Sequence, residues 1–210
     1  MADITRILIS ILRSIKEGQD PDAIYPRGPD TRGDVLNLKI LYWNPEASLE
    51  NPRARDLTQL EDAHIILLDE TKLRPKQLRI PNFFAYRRDK ISARGPAYRG
   101  TAVLILRDIM HEADQLMDFE TMRSIGIRIG SSEQKIRLFA AYSPPGTRMC
   151  VQDIHSIFSD QTSTLIIGDL NAKHKAWGSH SISKAGRLLM EDAERHGYEV
   201  LGPDTSTHVV

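Results

Sequence analysis

Two periodicities run through this chain. Near its start Ile4, Ile7, Leu8, Ile11, Leu12 and Ile15 recur at helical spacing, with Asp3 placed to cap the stripe and Gly18 to end it. That spacing predicts an amphipathic helix, and the Pro-, Gly- and Asp-bearing stretch over 17–33 reads as a linker. Residues 1–34 are thus expected to form a helix and linker, and residues 35–210 a folded domain. An apolar stripe needs a cover. Packing on its own domain, self-association and a partner protein each provide one, whereas a small polar face of mixed sign argues against a membrane surface.

Beyond the linker the apolar blocks shorten and the period changes. Strands are expected at 38–43, 101–106, 137–142 and 199–201. The continuous apolar runs at 65–69 and 164–167 suit strands buried on both faces. Ile125, Ile127 and Ile129 alternate with Gly126 and Arg128, a period of two. Helices are expected over 53–63, with Leu57 and Leu60 on one side, over 151–158, and over 185–196, where Gly197 ends the run. This is an α/β pattern with many short strands.

Composition narrows the class only a little. The 210 residues are 40% hydrophobic and 27% charged, with 28 basic and 28 acidic side chains, so the formal net charge is zero. Cys150 is the one cysteine, which excludes an intrachain disulfide and any Cys/His zinc spacing. No apolar run approaches the ~18 residues of a membrane span, and the charged N-terminus is not a signal peptide. An intracellular protein, nuclear or cytoplasmic, is expected.

The chemistry sits where strands end. The 38–43 run leads into Asn44, the 65–68 run into Asp69 and Glu70, the 137–141 run into Tyr142, and the 164–167 run into Gly168-Asp169-Leu170-Asn171. In open α/β sheets ligands bind beyond the carboxyl ends of strands. Each element alone is commonly a turn or a helix cap. Together, as oxygen donors without a His/Cys cluster, they suit a hard cation and phosphoryl chemistry rather than zinc.

These motifs resemble the endonuclease/exonuclease/phosphatase superfamily, the deoxyribonuclease-I-like fold. The match runs through Trp43-Asn44, Asp69-Glu70-Thr71-Lys72, Tyr142-Ser143-Pro144-Pro145 and Gly168-Asp169-Leu170-Asn171. Three stretches look like non-LTR retrotransposon endonucleases of the jockey kind. They are the segment from Gly168 to Ser179, Arg79-Ile80-Pro81-Asn82-Phe83 with the later 99–105 stretch, and 202–208. The resemblance implies an α/β sandwich of two sheets flanked by helices, and a magnesium-dependent endonuclease, Mn2+ being the alternative ion, that nicks DNA for insertion. By position it implies that Glu70 binds the metal and Asn44 the metal or phosphate. Asp169 would orient or deprotonate the attacking water, Asn171 would support it, and Tyr142 would contact the phosphate.

Three departures accompany the match. Glu46 stands where retrotransposon relatives commonly carry a small residue, and Lys72 where they usually have His. The family's later Asp and its Ser-Asp-His stretch do not occur within these 210 residues. The expectation is therefore a sandwich with its last strands missing and weak or no activity. A non-catalytic nucleic-acid-binding or interaction module, and a phosphomonoesterase of the same superfamily, are the alternatives.

Local charge favours nucleic acid where global charge is silent. Between Lys72 and Arg99 nine basic residues face one acid, Asp89, a net +8, with Phe83, Phe84, Tyr86 and Tyr98 interleaved. Lys72, Arg74, Arg87, Arg88, Lys90 and Arg99 are the expected DNA contacts, against the alternative of a solvated loop face.

Overall fold

A computed structural model of the chain describes residues 9–13, 38–44, 63–71, 78, 80–90, 98–115, 117–130 and 135–202. Ten strands run in chain order: β1 (Ile9–Arg13), β2 (Ile40–Trp43), β3 (Ile65–Thr71), β4 (Phe83–Lys90), β5 (Tyr98–Leu106), β6 (His111–Ala113), β7 (Arg123–Gly130), β8 (Lys135–Tyr142), β9 (Ser163–Asp169) and β10 (Glu199–Leu201). Helix α1 (Val151–Ile157) precedes β9, and helix α2 (Lys184–His196) precedes β10. The strands form a six-stranded sheet, β10-β1-β9-β8-β7-β6, and a four-stranded sheet, β2-β3-β5-β4.

Side-chain parity on these strands builds the layers. From the four-stranded sheet Tyr42, Ile65, Leu67, Val103 and Ile105 meet Ile125, Ile127, Leu138, Ala140 and Ile167 of the six-stranded sheet, and this is the core between the sheets. The alternate residues Phe139, Ala141 and Ile166 face the other way, against Ile154, Ile157, Leu189 and Ala193 of the helices. Trp43, Ile66, Leu68, Ala102 and Leu104 form the outer layer of the smaller sheet. Period-two alternation in one sheet thus serves two cores at once. The expected two-sheet α/β sandwich flanked by helices is what forms.

The expected strands and two of the expected helices appear, with α2 capped at its start by Ser183 and ended by Gly197 at φ 70°. The third helix, over 53–63, lies outside the described residues apart from Ala63. Strand β4 replaces the alternative of a loop over 83–90. Its aromatic and β-branch-poor run was masked by charge, although Phe83, Phe84 and Tyr86 are strand formers.

The N-terminal helix is corrected. Residues 9–13 form β1, antiparallel to β9 with Ile11 opposite Ile166, and antiparallel to β10 on its far side. Local spacing cannot see this, because the flank of β9 presents unpaired backbone donors and acceptors that a strand satisfies and a helix does not. The rest of that predicted helix lies outside the described residues. The flank of β9 is occupied by β1, and the outer edge on that side of the sheet falls to β10.

Candidate active site

Strands β2 and β3 are parallel, as are β8 and β9. Their carboxyl ends carry the predicted site residues, and inner-face parity aims several of them into the mouth of the sandwich. On β9 Leu165 and Ile167 face the inter-sheet core, so Asp169 follows on that side. Just beyond the strand Leu170 and Ala172 are buried under the helices, which leaves Asp169 and Asn171 directed the other way. Tyr142 continues the inner-face series of Leu138 and Ala140 and pairs in register with Asp169.

The turn after β9 is built to hold that geometry. Asn171 takes a left-handed φ of 49°, donates its backbone N–H to Asp169 Oδ1 at 2.9 Å, and donates Nδ2 to the Ser143 carbonyl at 2.9 Å. The Ser143 N–H in turn donates to the Asp169 carbonyl at 2.9 Å. A side chain at Gly168 would place Cβ 1.7 Å from the Ala141 carbonyl oxygen, so only glycine allows β8 and β9 to approach this closely just before the aspartate. Downstream, Trp177 is buried and donates Nε1 to the Ala172 carbonyl at 2.9 Å. Ser183, the cap of α2, accepts from the Lys173 N–H at 3.0 Å.

Asp69 joins this site from the other sheet. Its carboxylate is fully buried, and neither oxygen has a hydrogen bond of regular geometry. The Tyr42 and Thr101 hydroxyls and the backbone of Asp169 surround it and partly favour its charged form. Burial outweighs them and, with help from the Asp169 charge, lifts its pKa to about 7. The ends of β3 and β9 therefore meet across the sandwich, in different sheets. Asn44, one residue past β2, is buried on the Tyr42 side. Glu70 has its backbone within β3, next to Asp69, and its side chain is not among the described groups. The sequence reading placed Asp69 among the strand-end oxygen donors and Ser143 within a motif but assigned neither a role of its own, and it did not single out Tyr42 or Thr101. The signal for Asp69 was its parity with Ile65 and Leu67, which aims a carboxylate into an apolar core.

The donor set here is carboxylate, amide and hydroxyl oxygen, which fits a hard divalent cation. The His/Asp group among the described residues whose ligand atoms could share an ion is elsewhere, at His155, Asp192 and His196.

The expected DNA contacts divide. Lys72 and Arg74 lie outside the described residues, and Lys90 and Arg99 are described by their backbones in β4 and β5. Arg87 is half-buried with its terminal nitrogens enclosed. Arg88 is half-buried, pairs with Asp118 at 3.0 Å, and donates to the Met117 carbonyl. Arg88 reaches across the sandwich and ties β4 to the loop before β7.

Residues 136–209 match the family model described as endonuclease-reverse transcriptase. The chain is 27% identical over 173 residues to the RNA-directed DNA polymerase from mobile element jockey of Drosophila melanogaster, covering 81% of the chain and 19% of that relative. It is 25% identical over 179 residues to the probable RNA-directed DNA polymerase from transposon BS of the same fly, with the same coverage. The endonuclease domain of TRAS1, a telomere-specific non-LTR retrotransposon, superposes with a TM-score of 0.59 at 17% identity, over 76% of this chain and 72% of that one. The chain is thus similar in sequence to retrotransposon RNA-directed DNA polymerases and in fold to the endonuclease domain of a non-LTR retrotransposon. It spans about a fifth of the length of the curated relatives it matches, 19% of each. Among its described residues no helix is long and apolar enough to cross a membrane.

Proposed function

We propose that this endonuclease-like domain hydrolyses phosphodiester bonds in DNA with a divalent cation, nicking a target for element insertion. The observation that carries the reading is the mouth of the sandwich. There Asp169, fixed by the Asn171 N–H, lies beside Asp69 of the opposite sheet, with Tyr142 and Asn44 at neighbouring strand ends.

Asp169 is the general base. Its Oδ1 accepts the Asn171 N–H at 2.9 Å, which fixes the carboxylate that would orient a water and accept its proton. Asn171 is itself fixed through Ser143, so the base is positioned before substrate arrives. Tyr142 offers a hydroxyl to the phosphate. Glu70 and Asn44 would hold the ion, Mg2+ or Mn2+, which supplies relief of the charge that develops on the phosphate. Lys72, Arg74, Lys90 and Arg99 are the DNA contacts of this reading. Arg87 and Arg88 are assigned less, because their guanidinium groups are engaged or enclosed. Action inside the cell, in nucleus or cytoplasm, fits the substrate.

Nicking of supercoiled plasmid in Mg2+ is the test. Asp169→Ala and Glu70→Ala should each lower the rate by at least about 10²-fold, the scale of losing one positioned electrostatic group. Slow turnover is expected of the 210 residues assayed alone, which contain no Ser-Asp-His stretch. DNA binding should weaken steeply with salt. Nicking that survives both substitutions would refute the assignment, and failure to bind DNA at low salt would favour a protein-interaction module.

A further inference from the structure

The two helices that cover the six-stranded sheet meet at their carboxyl ends. His155 lies in the last turn of α1, and His196 ends α2 one turn after Asp192. His155 Nε2 lies 2.9 Å from Asp192 Oδ2, and His196 Nδ1 lies 3.2 Å from Asp192 Oδ1. The imidazole centroids are 4.3 Å apart. The ligand atoms all fall within 4.8 Å of one another.

We propose that His155, Asp192 and His196 form a binding site for a borderline divalent transition ion, Zn2+, that staples α1 to α2. The geometry is close to what the ion requires. Ligands about 2.0–2.1 Å from a tetrahedral zinc stand roughly 3.3 Å from each other. His155 Nε2 lies 2.9 Å from Asp192 Oδ2 and His196 Nδ1 3.2 Å from the other oxygen, Oδ1. The ion would replace one of these contacts together with the 3.0 Å contact of His196 Nδ1 to the Asp192 carbonyl. The ligand set, two imidazoles and one carboxylate, suits zinc and leaves a fourth position for water. Asp192 is oriented from behind, since the buried Tyr198 hydroxyl donates to its Oδ2 at 2.7 Å. The position at the end of the thirteen-residue α2 also favours a cation, because unpaired carbonyls put partial negative charge there.

This site is separate from the nuclease mouth. Helix α1 finishes before β9 begins at Ser163, whereas Asp169 is the last residue of β9. Seven strand residues span about 20 Å. The role is structural: it joins two covering helices whose C-terminal ends otherwise meet through imidazole rings and one shared carboxylate.

Zn2+ affinity of the full chain, measured by competition with a chromophoric chelator after demetallation, is the experiment. With excess Mg2+ present to fill the nuclease mouth, one Zn2+ per chain should bind tightly, and thermal unfolding should shift upward on binding. His155→Ala and His196→Ala should each weaken Zn2+ binding at least about tenfold and cancel the thermal shift. Asp169→Ala should leave Zn2+ affinity unchanged. His196 is 43% exposed, so its replacement should fold even if that of His155 does not. Co2+ added to the unsubstituted chain should give the visible absorption of a tetrahedral nitrogen/oxygen site. Unchanged Zn2+ affinity in the His196 variant, loss of affinity in the Asp169 variant, or no tetrahedral Co2+ spectrum would overturn the proposal.

Discussion

Two buried aspartates of this molecule have opposite surroundings. Asp153, in α1, accepts hydrogen bonds from the N–H groups of Glu120, Thr121 and Met122 at 2.8–3.0 Å and from the Thr121 hydroxyl at 2.9 Å. It ties the 120–122 loop to the helix layer. Asp69, in the sandwich mouth, is more deeply buried and has no hydrogen bond of regular geometry. A buried carboxylate with a full set of donors is a structural part, because its desolvation is offset. One whose neighbouring donors only partly offset its burial carries a cost that the fold tolerates, and such costs gather where chemistry is done. The contrast separates the scaffold from the site without appeal to any relative.

The largest test of that contrast is pH. Asp69 has a folded pKa near 7 against an ordinary value of 3.8. Between those values the folded chain keeps a proton that the unfolded chain has lost. Its contribution is therefore complete below about pH 4, falls as pH rises, and levels above pH 7. The loss should be on the order of 4 kcal/mol in the chelator-treated protein. Asp69→Asn should flatten this slope in denaturant titrations. An unchanged slope would show that Asp69 titrates as an ordinary acid and would remove the contrast.

Asp153→Ala comes next. It leaves three backbone donors without their acceptor, so about 3 kcal/mol of stability should be lost. A loss below about 1 kcal/mol in urea unfolding would mean that water replaces the carboxylate and that the full set of donors carries no structural weight. The smallest effect is expected at Arg88. Its pair with a fully exposed Asp118 should contribute about 1 kcal/mol or less, and Arg88→Ala should hardly change DNA affinity. A tenfold drop in affinity with stability intact would restore Arg88 to the DNA surface.

Much of the site was legible before any fold, for a local reason. Strand ends are marked by the switch from apolar to polar residues. That switch located Asn44, Asp69-Glu70, Tyr142 and Asp169-x-Asn171 at the carboxyl ends of four strands, two in each sheet. The surroundings of Arg88 were not legible, because charge along a sequence does not say which face of a strand carries it. Here the Tyr86 side turns Arg88 inward, toward Met117 and Asp118.

The sequence by itself determined seven of the ten strands, the two covering helices and the residue types at the site, since these depend on periodicity, caps and glycine, all read within a few neighbours. Only the tertiary structure decided that 9–13 is a strand, because its partner β9 lies some 150 residues away and backbone pairing outweighs a helical stripe. The meeting of Asp69 with Asp169, and of His155 with Asp192 and His196, was likewise settled by packing. Each group joins side chains from separate elements, and no spacing along the chain encodes how two sheets or two helices come to rest against each other.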